Sequence, residues 1–536
     1  MTTSDYLIFL LAVGTGAVAA VRVCPQNETM KPWPLGLSVL AGLGLTLTLV
    51  EVATVWLGQA GDPWNSARLT PAIALHHGFK LYYPLHEGPV LSTVVGPVAF
   101  LPYWPVGFVS GSPTTLILVA SGLNLTAFSL LGTWMVRRLP GSGLAQLTAW
   151  CLGAQLVLLY PALRYSLFSI HADAPALWLC GLGLCLLLQE ERLLSWRRCL
   201  GIALCLSLAV WAKQSVAPIF AAVLLLVSLR DGLRGAGRLA GAYLIVWTVV
   251  SLGFAGWFGF EVLRDNMLVV PSRHPWMQMS LANGEIYPQL AAVGLIARTK
   301  VLAAAALQIL RANWPLFALL VYALLQNAGD LSAKCWRWPR TSWAGFFLIA
   351  LAMLATAAVG RVKVGGAINH ESYVVFFLVA AFVCWLAETG NTGGPPHRLR
   401  AGVVLAVLLL LNLPQALDYP GWTAAWRNQN EISYRYDRAH PGEVYFPWNP
   451  LSSLLAEGRL YHFDYGVFDR NLGGARVAPD HLERHLPAPH PVVASYIAHH
   501  DYILNTYYPG HVQLPANIEL PGWRLFGTAA RPADKK

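Results

Sequence analysis

The sequence is short of charge. Only 12% of its 536 residues are Asp, Glu, Lys or Arg, 56% are hydrophobic, and the mean hydropathy is +0.49. Soluble globular domains carry about 25% charged residues. A water-soluble protein is therefore excluded, and a polytopic membrane protein is expected. Acidic residues are the scarcer sign, 27 against 37 basic ones, for a net charge of +10. Cysteine is sparse too. Its eight copies are scattered singly with no CxxC pair. Cys151, Cys180, Cys185, Cys199, Cys205 and Cys384 lie in apolar runs, and Cys24 and Cys335 in short loops. That pattern excludes a disulfide framework or a zinc module. No internal repeat or low-complexity tract stands out. The first apolar run, Tyr6 to Val21, lacks a basic flank before it and a small-residue cleavage site, so it reads as a membrane helix rather than a removed signal peptide.

What is present is a series of apolar runs. A span needs about 20 mostly apolar residues. Runs near 6–22, 34–58, 113–136, 143–163, 174–190, 197–212, 214–229, 239–258, 312–329, 342–360, 371–388 and 401–416 qualify, predicting about 12 spans. Basic residues mark alternate connections: Arg22 and Lys31, Arg137 and Arg138, Arg192 to Arg198, Arg230 to Arg238, Lys334 to Arg340, and His397 to Arg400. The positive-inside rule places these in the cytoplasm, so the net charge is mostly a topology signal and not a nucleic-acid footprint. The same alternation puts 59–112, 164–173, the turn around Lys213, 260–311 and 361–370 on the outer face, together with the tail from Asp418.

Within the first outer loop, 88–111 is apolar but interrupted by Pro89, Pro97, Pro102 and Pro105, and is expected to be interfacial or re-entrant. The tail is polar and aromatic and holds eight of the fifteen histidines. It predicts a small soluble domain, giving 1–417 as the membrane domain and 418–536 as an extracytoplasmic C-terminal domain of undetermined class.

The outer segments carry the chemistry. Asp62 follows the second span and precedes Pro63, which suits a helix N-cap as well as a general base over a cavity. Arg68 comes after it in the same loop, and Glu87 sits in "HEGP" as a turn residue or a second base. Asp173 heads the fifth span, where a carboxylate also favours the helix dipole. Lys213, in "VWAKQSVAP", either snorkels to the interface or meets a phosphate at headgroup level. Arg361 and Lys363 in "GRVKVGGAINHESY" are cations where positive-inside bias disfavours them, which points to an anionic ligand. His370 caps, packs or joins them. Tyr373 reads as an interfacial aromatic.

In these features the chain resembles the GT-C superfamily of polyprenyl-phosphate-dependent glycosyltransferases, in particular the protein O-mannosyltransferase and aminoarabinose lipid A transferase branch. The resemblance runs from about residue 34 to 416. Asp62 matches the acidic residue of the family's first outer loop, and Gly88–Phe108 its second juxtamembrane helix. Glu87-Gly88-Pro89, "HADAPAL" (171–177), Lys213-Gln214 and Lys363 through Tyr373 match its later motifs. The family's first loop often has an adjacent acidic pair, which Asp62-Pro63 lacks, so Glu51 and Glu87 stay open as alternative bases. His171 replaces the usual basic residue before the Asp.

The resemblance implies an all-α GT-C architecture with outer juxtamembrane helices in a bacterial inner membrane. It implies inverting transfer of a sugar from a polyprenyl-phosphate donor to an acceptor hydroxyl of a protein, lipid or glycan. Asp62, Asp173 and Glu87 would be the catalytic carboxylates, and Lys213, Arg361, Lys363, His370 and Arg68 the lipid-phosphate ligands. Some superfamily members use a divalent metal; the sparse acidic set favours a site without one. A lipid-linked glycan flippase or transporter is the alternative from another class. A non-catalytic scaffold with a partner-binding tail is the third reading.

Overall fold

A computed structural model describes residues 32–139, 142–188, 195–276, 294–331, 342–364, 366, 368–392, 395–417, 428–495 and 501–528. The expected first span at 6–22 lies outside them, as do part of the loop 260–311 and the start of the tail. The chain is a polytopic helical membrane protein. Among the described residues, five helices are long and apolar enough to cross a membrane, or up to seven when each sharply bent pair is one span. The five include Pro113–Arg138 and Ser342–Val362. The bent pairs are Gly143–Leu159 with Pro161–Phe168, at 98°, and Leu295–Ala312 with Trp314–Leu325, at 80°.

This differs from the dozen runs of the sequence for identifiable reasons. The runs at 214–229 and 239–258 join into one helical element, Pro218–Phe258, broken at Gly232. Its φ of 72° there is one that only glycine adopts cheaply. Within the described residues Asp173–Leu188 covers 16 residues and Trp196–Ala212 17, near the lower end of what a span needs. Proline opens many of these helices, including those at Pro113, Pro161 and Pro218, where its missing N–H costs nothing. Large apolar side chains such as Leu244, Leu252 and Leu410 stay more than 65% exposed along the outside of the helices, a surface made for lipid rather than water.

The segment 88–108 is not the juxtamembrane helix that the resemblance implied. It is irregular up to Gly96, followed by tight 3₁₀ turns at Pro97–Ala99 and Leu101–Phe108. Its prolines remove backbone donors and clash with an α-helical path. It is nevertheless well packed: Tyr82 donates to the Val95 carbonyl at 2.6 Å, and Gln214 donates to the Val94 carbonyl at 3.2 Å.

The C-terminal region is α/β. Helices Gln429–Ala439, Pro450–Glu457 and Asp464–Leu472 surround a four-stranded sheet made of β1 (Val444–Tyr445), β2 (Val492–Ser495), β3 (Val512–Gln513) and β4 (Arg524–Gly527), in the order β1-β2-β4-β3. β1 and β2 run parallel and the other pairs antiparallel. The region is not an appendage. One apolar core joins Leu69, Ile73, Phe100 and Leu116 of the first long loop and its flanking helix to Trp448, Leu451 and Phe463 of the tail.

Candidate functional site

Segments far apart in the sequence converge on one cavity of about 1140 Å³. Trp64 and Arg68 come from helix Pro63–Ala74, and Val94, Val95 and Phe100 from the irregular loop. Tyr165 and His171 precede the helix Asp173–Leu188. Lys213 and Gln214 occupy the break after Trp196–Ala212. Met267 and His274, then Arg361, Lys363 and His370, and finally Tyr465 and Asp469 of the C-terminal region complete the wall. Each of these comes from a segment that the basic-residue pattern assigns to the same side.

Asp173 is the polar centre. It is fully buried, and Lys213 Nζ and His171 Nδ1 each stand 2.5 Å from it. Asn369 donates to Oδ2 at 2.6 Å, and the Tyr373 hydroxyl donates to Oδ1. A buried carboxylate needs this many donors to stay ionised. His171 is held down to about 4, mainly by burial and against the pull of Asp173. It is therefore neutral at pH 7, with Nδ1 lying against both the Asp173 carboxylate and the Asp173 backbone N–H, the latter at 3.2 Å. Tyr373 is thus a structural partner of Asp173, a role its sequence position did not reveal.

The other cations are less committed. Arg68 donates to the Tyr165 hydroxyl at 2.6 Å and lies over the rings of Trp64 and Tyr165 at 4.7 and 5.6 Å. Lys363 donates to the Pro271 carbonyl at 3.1 Å, and burial lowers its pKa. Among the described residues neither has a carboxylate within ion-pair distance. Arg361 Nε stands 3.4 Å from Glu371 Oε1 without hydrogen-bond geometry, and His370 Nδ1 is buried with no hydrogen-bond partner. Positive charge therefore exceeds negative charge around an interior walled by Val95, Phe100, Leu268 and Val359. Such a chamber suits an anionic headgroup with an apolar tail.

The remaining carboxylates named from sequence sit elsewhere. Asp62 caps helix Pro63–Ala74, accepting from the Trp64 N–H at 2.9 Å. Burial raises its pKa, and Arg68 and that hydrogen bond oppose the rise. It stands at the head of the helix whose Trp64 and Arg68 reach the cavity, but is not itself in the wall. Glu87 is exposed in a turn closed by its N–H on the Pro84 carbonyl at 3.1 Å. Glu51 accepts from Gln155 at 2.9 Å inside the helical bundle, in a buried polar network with Thr48 and Asn412.

Several wall residues carry no signal in the sequence, Trp64, Tyr165, His274 and Tyr465 among them. Gln214, which in sequence is only the neighbour of Lys213, ties the Val94 and Met267 carbonyls together in the cavity wall. Asp469 carried no local signal, since its neighbours are ordinary helix residues of the tail. No group of three or more His, Cys, Asp or Glu that could hold a metal ion occurs among the described residues.

No family model and no curated protein matches the chain. Among solved structures it is similar to ArnT from Cupriavidus metallidurans bound to undecaprenyl phosphate, with a TM-score of 0.48 and 10% identity, covering 90% of this chain and 97% of that chain.

Proposed function

We propose that the chain is a membrane glycosyltransferase of the GT-C kind, moving a sugar from a polyprenyl-phosphate donor to an acceptor hydroxyl on the extracytoplasmic face. The observation that carries this reading is the convergence of Arg68, Lys213, Arg361 and Lys363 on one apolar-walled cavity. The lipid tail would lie among the apolar residues and the phosphate among the cations. Attack of the acceptor oxygen on the anomeric carbon, on the face opposite the phosphate, inverts the configuration. The transition state gathers positive charge on the sugar ring, as in glycoside hydrolysis, and negative charge on the departing phosphate. Preorganised cations stabilise that phosphate without reorganising during the reaction. In this proposal they take the part that a divalent metal plays in other superfamily members.

Lys213 is already paired with Asp173, so Arg68, Arg361 and Lys363 supply the surplus charge. Asp173 holds Lys213, Asn369 and Tyr373 in place, which makes it a positioning residue. His370 adds a neutral ring at the same wall.

The test is reconstitution in vesicles with a panel of radiolabelled polyprenyl-phosphate sugars, comparing wild type with Arg361→Ala, Asp173→Asn and Asp62→Asn. Sugar transfer by wild type, lost on Arg361→Ala, supports the reading. Lipid translocation without transfer, indifferent to these changes, replaces it with a flippase.

A further inference from the structure

The helix Asp464–Leu472 reaches the cavity with Tyr465 and Asp469, four residues apart and so on one face. It is held there by backbone packing that leaves no room for side chains. A Cβ at Gly466 would meet the Leu91 carbonyl oxygen at 2.8 Å, and one at Gly473 would meet the Val270 carbonyl oxygen at 2.9 Å. The main-chain carbonyl of Asp469 faces the His274 ring at 3.2 Å. Its neighbour Arg470 turns the other way, donating to the Leu85 carbonyl at 2.8 Å and to Asn266 at 3.3 Å. Asp469 is only 4% exposed and lines the cavity, and no hydrogen bond or ion pair within the described residues holds its carboxyl.

That contrast with Asp173 is informative. Lys213, His171, Asn369 and Tyr373 all serve Asp173, while Arg68, Arg361 and Lys363 stand elsewhere in the wall and Asp469 has none of them as a partner. A carboxyl that faces the cavity without an internal partner is free to meet a group bound there. Burial pushes its carboxyl up to about 8, which suits a proton acceptor working near neutral pH. The titratable and charged groups around it are His274, Tyr465 and Arg470, with Arg68 beyond Tyr465 and Lys363 beyond His274.

We propose that Asp469 is the general base of the transfer reaction, so that the C-terminal region completes the active site. The inference rests on the glycosyltransferase reading above. As the acceptor oxygen forms its bond to the anomeric carbon, its proton passes to an Asp469 carboxylate oxygen. The bond from that carbon to the phosphate oxygen breaks, and its electron pair leaves on the lipid phosphate. The Asp469 proton then returns to water.

The experiment uses the full-length protein in vesicles with the same radiolabelled donors, for wild type, Asp469→Asn and Asp469→Glu. Binding of undecaprenyl phosphate is measured in parallel by quenching of tryptophan fluorescence. The expected result is a loss of kcat of about 100-fold or more in Asp469→Asn, the range that base catalysis supplies. Lipid-phosphate affinity should stay within about twofold, Asp469→Glu should regain part of the rate, and the wild-type rise of kcat with pH should vanish in the Asn variant. If wild type transfers sugar and Asp469→Asn keeps its kcat within about threefold, Asp469 is not the base and the glycosyltransferase reading stands. If wild type transfers none of the sugars, both fall together. Should the Asn variant fail to fold, a wild-type kcat that is flat from about pH 5 to 9 overturns the assignment by itself.

Discussion

Lys213 Nζ and Asp173 Oδ1 stand 2.5 Å apart, joining the break after one membrane helix to the head of another. The Asp173 side chain is fully buried and that of Lys213 is 9% exposed, so neither charge has water to fall back on. Asn369 and Tyr373, at the head of a third membrane helix, bind the same carboxylate. The Asp173 carboxylate thus ties three helix ends together beside the cavity.

Removing one member of that pair should therefore cost more than removing both. Lys213→Met leaves Asp173 buried with one cation fewer, a change expected to cost about 3–5 kcal/mol. Lys213→Met with Asp173→Asn should recover most of that stability while transfer stays abolished. Thermal unfolding in detergent, read beside the vesicle assay, checks both expectations.

Asp62 offers a test that separates a cap from a base. Asn caps helices about as well as Asp, whereas Ala loses about 1 kcal/mol. If capping is its whole contribution, Asp62→Asn keeps stability and transfer near wild type, and Asp62→Ala lowers only the melting temperature. A loss of transfer in Asp62→Asn at unchanged melting temperature would give the carboxylate a chemical role as well.

Arg68 and Arg361 line the cavity and neither pairs with Asp173, Arg361 facing Glu371 at 3.4 Å instead, so they should bind anions independently of Asp173. Arg68→Ala and Arg361→Ala are each expected to weaken undecaprenyl phosphate binding about tenfold, equivalent to about 1.4 kcal/mol. Uncharged polyprenol should bind all three proteins alike. Titration by fluorescence quenching distinguishes the two lipids.

The C-terminal region should lose stability as pH rises. Burial pushes Asp437, Asp464 and Asp469 each up to about 8. Between about 4 and 8 the folded state then binds more protons than the unfolded state. The stabilisation is complete below pH 4 and is lost as pH climbs through 8, at up to about 1.4 kcal/mol per pH unit for each group. Above the range in which the lowered His462, His481 and His485 act in the opposite sense, the melting temperature of the purified protein should fall from about pH 7 to pH 9, and Asp464→Asn should flatten that slope. A melting temperature that rises over this interval contradicts the assignment.

Much of the architecture was legible in the sequence because lipid imposes a simple rule. Long apolar runs with few charges and no internal prolines form the membrane helices, and basic residues in alternate loops group the other segments on one side. That grouping picked out Arg68, Asp173, Lys213, Arg361, Lys363 and His370 before any of them had a neighbour. Length and bending were not legible. Gly232 breaks one long helical element without ending it, and Pro161 opens the second arm of a bent pair. Hydropathy cannot see either, because a backbone angle changes no composition.

The sequence by itself determined which residue types were available and on which side they would collect: scarce carboxylates, surplus cations and an aromatic tail. Only the tertiary structure decided their partners. Asp62 became a cap because the Trp64 N–H lies next to it. Asp173 became a hub because Lys213, Asn369 and Tyr373 arrive from segments 40 to 200 residues away. Asp469 entered the cavity because Gly466 and Gly473 let its helix press against the backbone of the membrane region. A pairing between distant residues depends on packing geometry, and packing leaves no trace in local spacing.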